Sequence, residues 1–132
     1  MAAVNKVKTE TFGNDKQILI APEVAVEIGC IVTNTDVDAD ANGKKILKAG
    51  TPVGGATSVL MNRQTVLTKQ NGANAQGVLL HDVDVTAGEE NATLVIEGVI
   101  DYEKVDASVQ ALYTAAALGA MPKITIMKGS KV

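Results

Sequence analysis

From Ile18 to Tyr102 apolar and polar residues alternate in short runs, the period of strands with one buried face; from Asp106 to Leu118 the spacing lengthens to that of a helix. Ile18-Leu19-Ile20 is a short apolar run. After Pro22, Val24, Val26 and Ile28 alternate with Ala25 and Glu27, and Cys30-Ile31-Val32 resumes beyond Gly29, which predicts a strand. The stretch Asn34 to Asn42 is loop chemistry ending in Asn42-Gly43, a turn dipeptide that predicts a hairpin. In Lys45 to Val53 the turn residues Ala49-Gly50-Thr51 lead to Pro52, which argues against a central strand. Residues Ala56 to Gln76 are ambiguous, since Val59 to Leu67 fits a helical turn or a strand, while Gln70 to Asn74 reads as loop.

The second half is plainer. Gly77 to Val85 places Leu79, His81, Val83 and Val85 on one face of a strand and Asp82 and Asp84 on the other. After the turn Thr86 to Asn91, Ala92 to Tyr102 sets Leu94, Ile96, Ile100 and Tyr102 opposite Thr93, Glu97 and Asp101, with Gly98 marking a bulge or a close backbone approach. Val105, Val109, Leu112, Tyr113 and Ala116 then predict one short helix, with Asp106 as its N-cap and Gly119 as its stop. Ile124 and Ile126 form a last short strand. The expected fold is mainly β: a small β-barrel-like domain with one short helix, spanning residues 18–132, behind an extended N-terminal arm at 1–17 that is polar and has no period.

Composition narrows the function. The chain has 132 residues, 46% hydrophobic but only 2% aromatic, so valine, isoleucine, leucine and alanine must carry the core of a single domain. With a net charge of -3, scattered lysines and no stacking aromatics, no nucleic-acid partner is expected. No run approaches the apolar length of a membrane helix, and residues 1–10 lack the core of a secretory signal, so no membrane association is expected. One cysteine, Cys30, excludes an intrachain disulfide, and it reads as a core residue.

No catalytic constellation emerges. Asp38-Ala39-Asp40-Ala41-Asn42-Gly43 matches the opening of a calcium loop, but the twelfth position is Ala49 where a bidentate Glu is needed. What remains is a weak surface cation site on Asp36, Asp38 and Asp40; otherwise no metal and no cofactor are expected. His81 shares its predicted face with Leu79 and Val83, not with Asp82, and so reads as a partly buried structural histidine. Glu89-Glu90 and Asp101 to Glu103 read as solvated charges, and Gly54-Gly55 lacks the ending of a phosphate loop. The arm, with Lys6, Lys8 and Lys16, has the composition of a segment that orders on a partner.

Gly77 to Gly88, followed by Ala92 to Ile100, resembles the lambda-type head decoration proteins of tailed bacteriophages. Leu47 to Gly55 looks like that family's strand and turn before a variable middle, and Ala111 to Gly119 with Ile124 fits its closing helix and strand. The resemblance implies a β-tulip that forms a homotrimer and binds the major capsid protein on the outer surface of the expanded head. It implies synthesis in the host cytoplasm, a place in the virion, and a noncatalytic cementing role. It assigns capsid binding to the arm, at Val4, Lys6, Val7, Lys8, Thr9, Thr11 and Phe12. The alternative is a ligand- or cation-dependent β adhesion or head-fibre module that uses the loop Asp36 to Asn42.

Overall fold

The computed structural model describes residues 17–129. Among these residues eight strands form: β1 (Val26–Val32), β2 (Ile46–Leu47), β3 (Pro52–Gly54), β4 (Val66–Lys69), β5 (Ala75–Leu79), β6 (Val83–Asp84), β7 (Glu90–Asp101) and β8 (Ile124–Met127). Two short helices, α1 (Ala107–Gln110) and α2 (Ala115–Ala120), lie between β7 and β8. In the main sheet the order is β1-β4-β3-β5-β7-β8, and because β1 also pairs with β7 the first five strands close into a barrel. Closure removes sheet edges, and among the described residues β8 and the β2–β6 ribbon lie outside the ring.

The barrel interior is aliphatic, as the composition requires. Cys30 and Val32 of β1, Val53 of β3, Leu67 of β4, Leu79 of β5 and Leu94 of β7 all point inward and are buried. Val59, from the β3–β4 loop, packs into this core beside the starts of β4 and β5, while Val37, Leu47 and Val85 join it near the ends of β1 and β5. A second core lies outside the ring, where Val78 and Val95 are covered by Val109 of α1, Ala117 of α2, Ile124 of β8 and the entering residues Ile18 and Leu19.

β7 joins the two cores, and it corrects the predicted facing. Val26 pairs with Glu97 but Glu27 pairs with Val95, so Ile96 is an extra residue on β7. One extra residue exchanges the two faces. Leu94 therefore faces the barrel, whereas Ile100 joins Val95 in the outer core instead of sharing the face of Leu94 and Ile96. Gly98 lies on the outer face just beyond the bulge, where a Cβ would come within 3.3 Å of Ala25 and 3.4 Å of Leu19 and Val95.

Five further expectations change. β2 pairs with β6, so Asn42-Gly43 closes a local turn and not a hairpin onto β1. Pro52 does sit in a central strand, at its first residue, where its carbonyl accepts from the Gln70 N–H. The predicted single strand Gly77 to Val85 is two strands, β5 and β6, separated by Leu80 to Asp82. The one helix is two, because the chain breaks helical geometry around Leu112 to Thr114 to make tertiary bonds. The Tyr113 hydroxyl donates to the Gly50 carbonyl at 2.7 Å, and the Thr114 hydroxyl donates to the Asn71 carbonyl at 2.6 Å. Thr114 also caps α2, its Oγ1 accepting from the Ala117 N–H, and α2 runs through Gly119 instead of stopping there.

Asp106 is the N-cap of α1 as predicted: its carboxylate accepts from the Ser108 N–H at 3.0 Å and from its hydroxyl at 2.6 Å. These bonds, aided by Lys48 at 3.4 Å, hold the carboxyl down at about 2 against an ordinary 3.8. A depressed carboxyl stabilises the fold above its unfolded value and loses that contribution as pH falls through its folded value. Asp106→Ala is thus expected to cost about 1 kcal/mol at neutral pH, a cost that shrinks as pH falls from about 4 to about 2. Urea melts of both proteins at pH 7 and pH 2 check this, and an undiminished difference at pH 2 would contradict it.

Candidate functional site

The N-terminal segment enters the fold at a fixed point. Ile18 is fully buried and Leu19 nearly so. Leu19 bridges Ile100 in antiparallel sense, the Ile20 N–H donates to the Val99 carbonyl, and the Asp101 N–H donates to the Ile18 carbonyl. The Gln17 side chain accepts from the Leu19 N–H at 3.0 Å, closing the entry. On the other side of β7, β8 runs parallel to it, pairing Gly98 with Ile124 and Asp101 with Met127. Beyond β8, the Lys128 ammonium lies 4.7 Å from the Tyr102 ring centre. Both the entry at Gln17 to Ile20 and the exit of β8 therefore flank the far end of β7. The capsid-binding residues expected in the arm, Val4, Lys6, Val7, Lys8, Thr9, Thr11 and Phe12, lie outside the described residues.

The β3–β4 loop forms a second feature near that end of the barrel. Gln76, at the start of β5, holds it by three bonds: its Oε1 accepts from the Val59 N–H at 2.8 Å, and its Nε2 donates to the Thr57 carbonyl at 2.8 Å and the Gly55 carbonyl at 3.1 Å. Val59 is anchored in the barrel, while Leu60 and Met61 stand 62% and 84% exposed. Arg63, further along the loop, reaches back to the Gly29 carbonyl of β1. Sequence reasoning missed this tip, because Val59 to Leu67 carries no decided period. The available signal was a Leu-Met pair between a helix-poor Gly-Gly and a polar Asn-Arg-Gln run.

At the opposite end the loop Asp36 to Asn42 borders a cleft of about 480 Å³ with Lys44, Lys48, Lys69 and Asp82 in its wall. Of its acidic side chains, that of Asp40 serves the backbone. Asp40 Oδ1 accepts from the N–H groups of Asn42 and Lys44, a turn-forming use, and Asp36 adopts a positive φ of 63°. Among the described residues no group of three or more His, Cys, Asp or Glu side chains is placed to hold a metal ion, so Asp36, Asp38 and Asp40 do not converge.

Two further carboxylates are committed in the same way. Asp82 accepts from the Ala49 N–H at 2.8 Å, and Asp84 accepts from the Thr86 N–H and hydroxyl, which lowers its carboxyl below the usual range. His81 is exposed, not partly buried as expected, because the chain leaves β5 at Leu79 and turns outward before β6. Burial pushes the Cys30 thiol up to about 11 despite the opposing Arg63 cation, so it stays protonated at neutral pH and packs as a small apolar residue. Tyr113 is likewise pushed above the usual tyrosine range by burial, consistent with its bond to the Gly50 carbonyl. Among the described residues no helix is long and apolar enough to cross a membrane. No known family model matches the chain, and no curated protein in the comparison is significantly similar to it.

Proposed function

We propose that this chain is a noncatalytic decoration protein of a tailed-phage head, trimeric on the outer surface of the expanded capsid and holding it together through its N-terminal arm. The observation that carries the reading is the anchored root. Ile18 to Ile20 are hydrogen-bonded to β7, with Ile18 and Leu19 buried, so the polar stretch 1–16 is joined to a rigid body at one end of a closed barrel. A closed ring has few backbone groups of its own to offer a partner strand. Main-chain pairing with a shell protein then falls to the arm, where a nondescript sequence suffices because main-chain bonds supply the affinity. Many such sites on one capsid add through avidity. The motif order from Leu47 to Ile126 supports the same reading.

The test is co-sedimentation with expanded, DNA-free tailed-phage heads. The full chain is expected to pellet near one copy per site. A chain starting at Gln17, which keeps the bond to Leu19, is expected to stay in the supernatant with an unchanged melting temperature. Equal binding by the shortened chain would remove the arm from the mechanism.

A further inference from the structure

Two asparagines of the chain are followed by glycine, Asn42 and Asn71. At such a pair the main chain can attack the side chain, because glycine has no Cβ to hold its nitrogen away from the asparagine amide carbon. The fold treats the two sites differently. The Gly43 N–H donates to the Asp40 carbonyl at 2.9 Å, and Asp40 Oδ1 accepts from the N–H groups of Asn42 and Lys44 on either side. The nitrogen that would attack is thus engaged, and the turn around it is pinned. Asn71 lies in the turn between β4 and β5, where the Gln70 N–H donates to the Pro52 carbonyl and the Ala75 N–H to the Gly72 carbonyl. Between those bonds, neither the Gly72 N–H nor the Asn71 side-chain amide has a hydrogen-bond partner among the described residues.

Asn71 is exposed and borders an open cleft of about 260 Å³ with Asp36, Lys69, Gln70 and Leu112, so its amide meets water. One bond does reach the residue, from the Thr114 hydroxyl to the Asn71 carbonyl at 2.6 Å. When the Gly72 N–H loses its proton, charge spreads onto that carbonyl oxygen, where the Thr114 hydroxyl already donates. We propose that Asn71 is a site of spontaneous modification in the folded protein, converting to isoaspartate ahead of Asn42. The deprotonated Gly72 nitrogen bonds to the Asn71 side-chain amide carbon, the carbon–nitrogen bond of that amide breaks, and ammonia leaves with the proton that Gly72 gave up. Water then adds to the Asn71 main-chain carbonyl carbon and opens the cyclic imide, leaving a carboxylate there and carrying the peptide link through the side chain. Nothing is oxidised or reduced. The turn gains a main-chain carbon and a negative charge at the carbonyl held by Thr114, the cap of α2, and so α2 is loosened from the barrel.

The full chain is incubated at mildly alkaline pH, folded and in parallel unfolded in urea, and isoaspartate is located by peptide mass spectrometry. In the folded chain Asn71 is expected to convert at least about fivefold faster than Asn42, the factor that one net backbone hydrogen bond is worth. In urea the two are expected to convert at similar rates. Gly72→Ala is expected to keep the melting temperature, since a Cβ there meets nothing within 4 Å, and to slow conversion at Asn71 severalfold. The converted fraction, separated by anion exchange, is expected to melt below the unconverted one. No conversion at Asn71, conversion at Asn42 as fast in the folded chain, or Gly72→Ala converting at the parent rate overturns the site. The same preference persisting in urea overturns it too, because the neighbouring residues and not the fold would then set it. An equal melting temperature for the converted fraction overturns the loosening of α2.

Discussion

Gly54→Ala is expected to destabilise the protein by about 3 kcal/mol and to lower its melting temperature by about 10 °C. Gly54 ends β3, buried between β4 and β5, and a Cβ there would fall on the Asn74 carbonyl, with the Asn74 carbonyl carbon at 2.9 Å and the Gln76 N at 3.0 Å. All three are backbone atoms, so no side chain can rotate aside. Room can be made only by moving the start of β5, which also carries Gln76 and with it the tip of the β3–β4 loop. Register already shifts between Val53 and Gly54, leaving little slack in that pairing. The neighbouring Gly55 supplies the control, since a Cβ there meets nothing within 4 Å. Gly55→Ala is expected to stay within about 0.5 kcal/mol of the parent. Thermal melts followed by circular dichroism decide the matter, and similar melting temperatures for the two variants would mean that β5 yields freely.

Leu94→Ala is expected to cost about 3 kcal/mol, within the range for removing a fully buried aliphatic side chain. Leu94 is 0% exposed and faces the barrel interior opposite Ile28 on β1 and Leu79 on β5. Three strands therefore bound the cavity it would leave, and a closed ring collapses poorly around a void. The loss should reach the outer core as well, because Val95 and Ile100 of the same strand are part of it. Tyr102 and Tyr113, with ring centres 6.4 Å apart, report on that outer layer. Tyrosine fluorescence and far-UV circular dichroism are thus expected to give coincident urea transitions, shifted together in the variant. Separate transitions would show that the two cores unfold independently, contrary to a shared β7.

Much of the candidate site was legible locally and little of it globally. The entry at Ile18, the change from a periodless to an apolar sequence, coincides with the first buried residue among those described. Asp106 was recognisable as a cap because capping depends on one side chain and the backbone two residues on. His81 was misplaced because alternation says which face a residue takes only while the strand lasts, and β5 ends at Leu79. The Leu60–Met61 tip stayed hidden because its exposure depends on Gln76, distant in the chain and close in the fold.

The sequence by itself determined an aliphatic β domain behind a polar N-terminal stretch, with strands at β1, β5, β7 and β8 and helical turns after Asp106. Those features follow from short-range periodicity, which records only which side of a segment meets water. The tertiary structure alone decided that β1 closes onto β7 and that β2 pairs with β6. It also decided that Ile96 bulges so that Ile100 changes core, and that the helix breaks at Tyr113 and Thr114. Each of these depends on partners far apart in the chain, such as Gly50 for Tyr113 and Asn71 for Thr114, and no local period encodes which distant backbone group will be within reach.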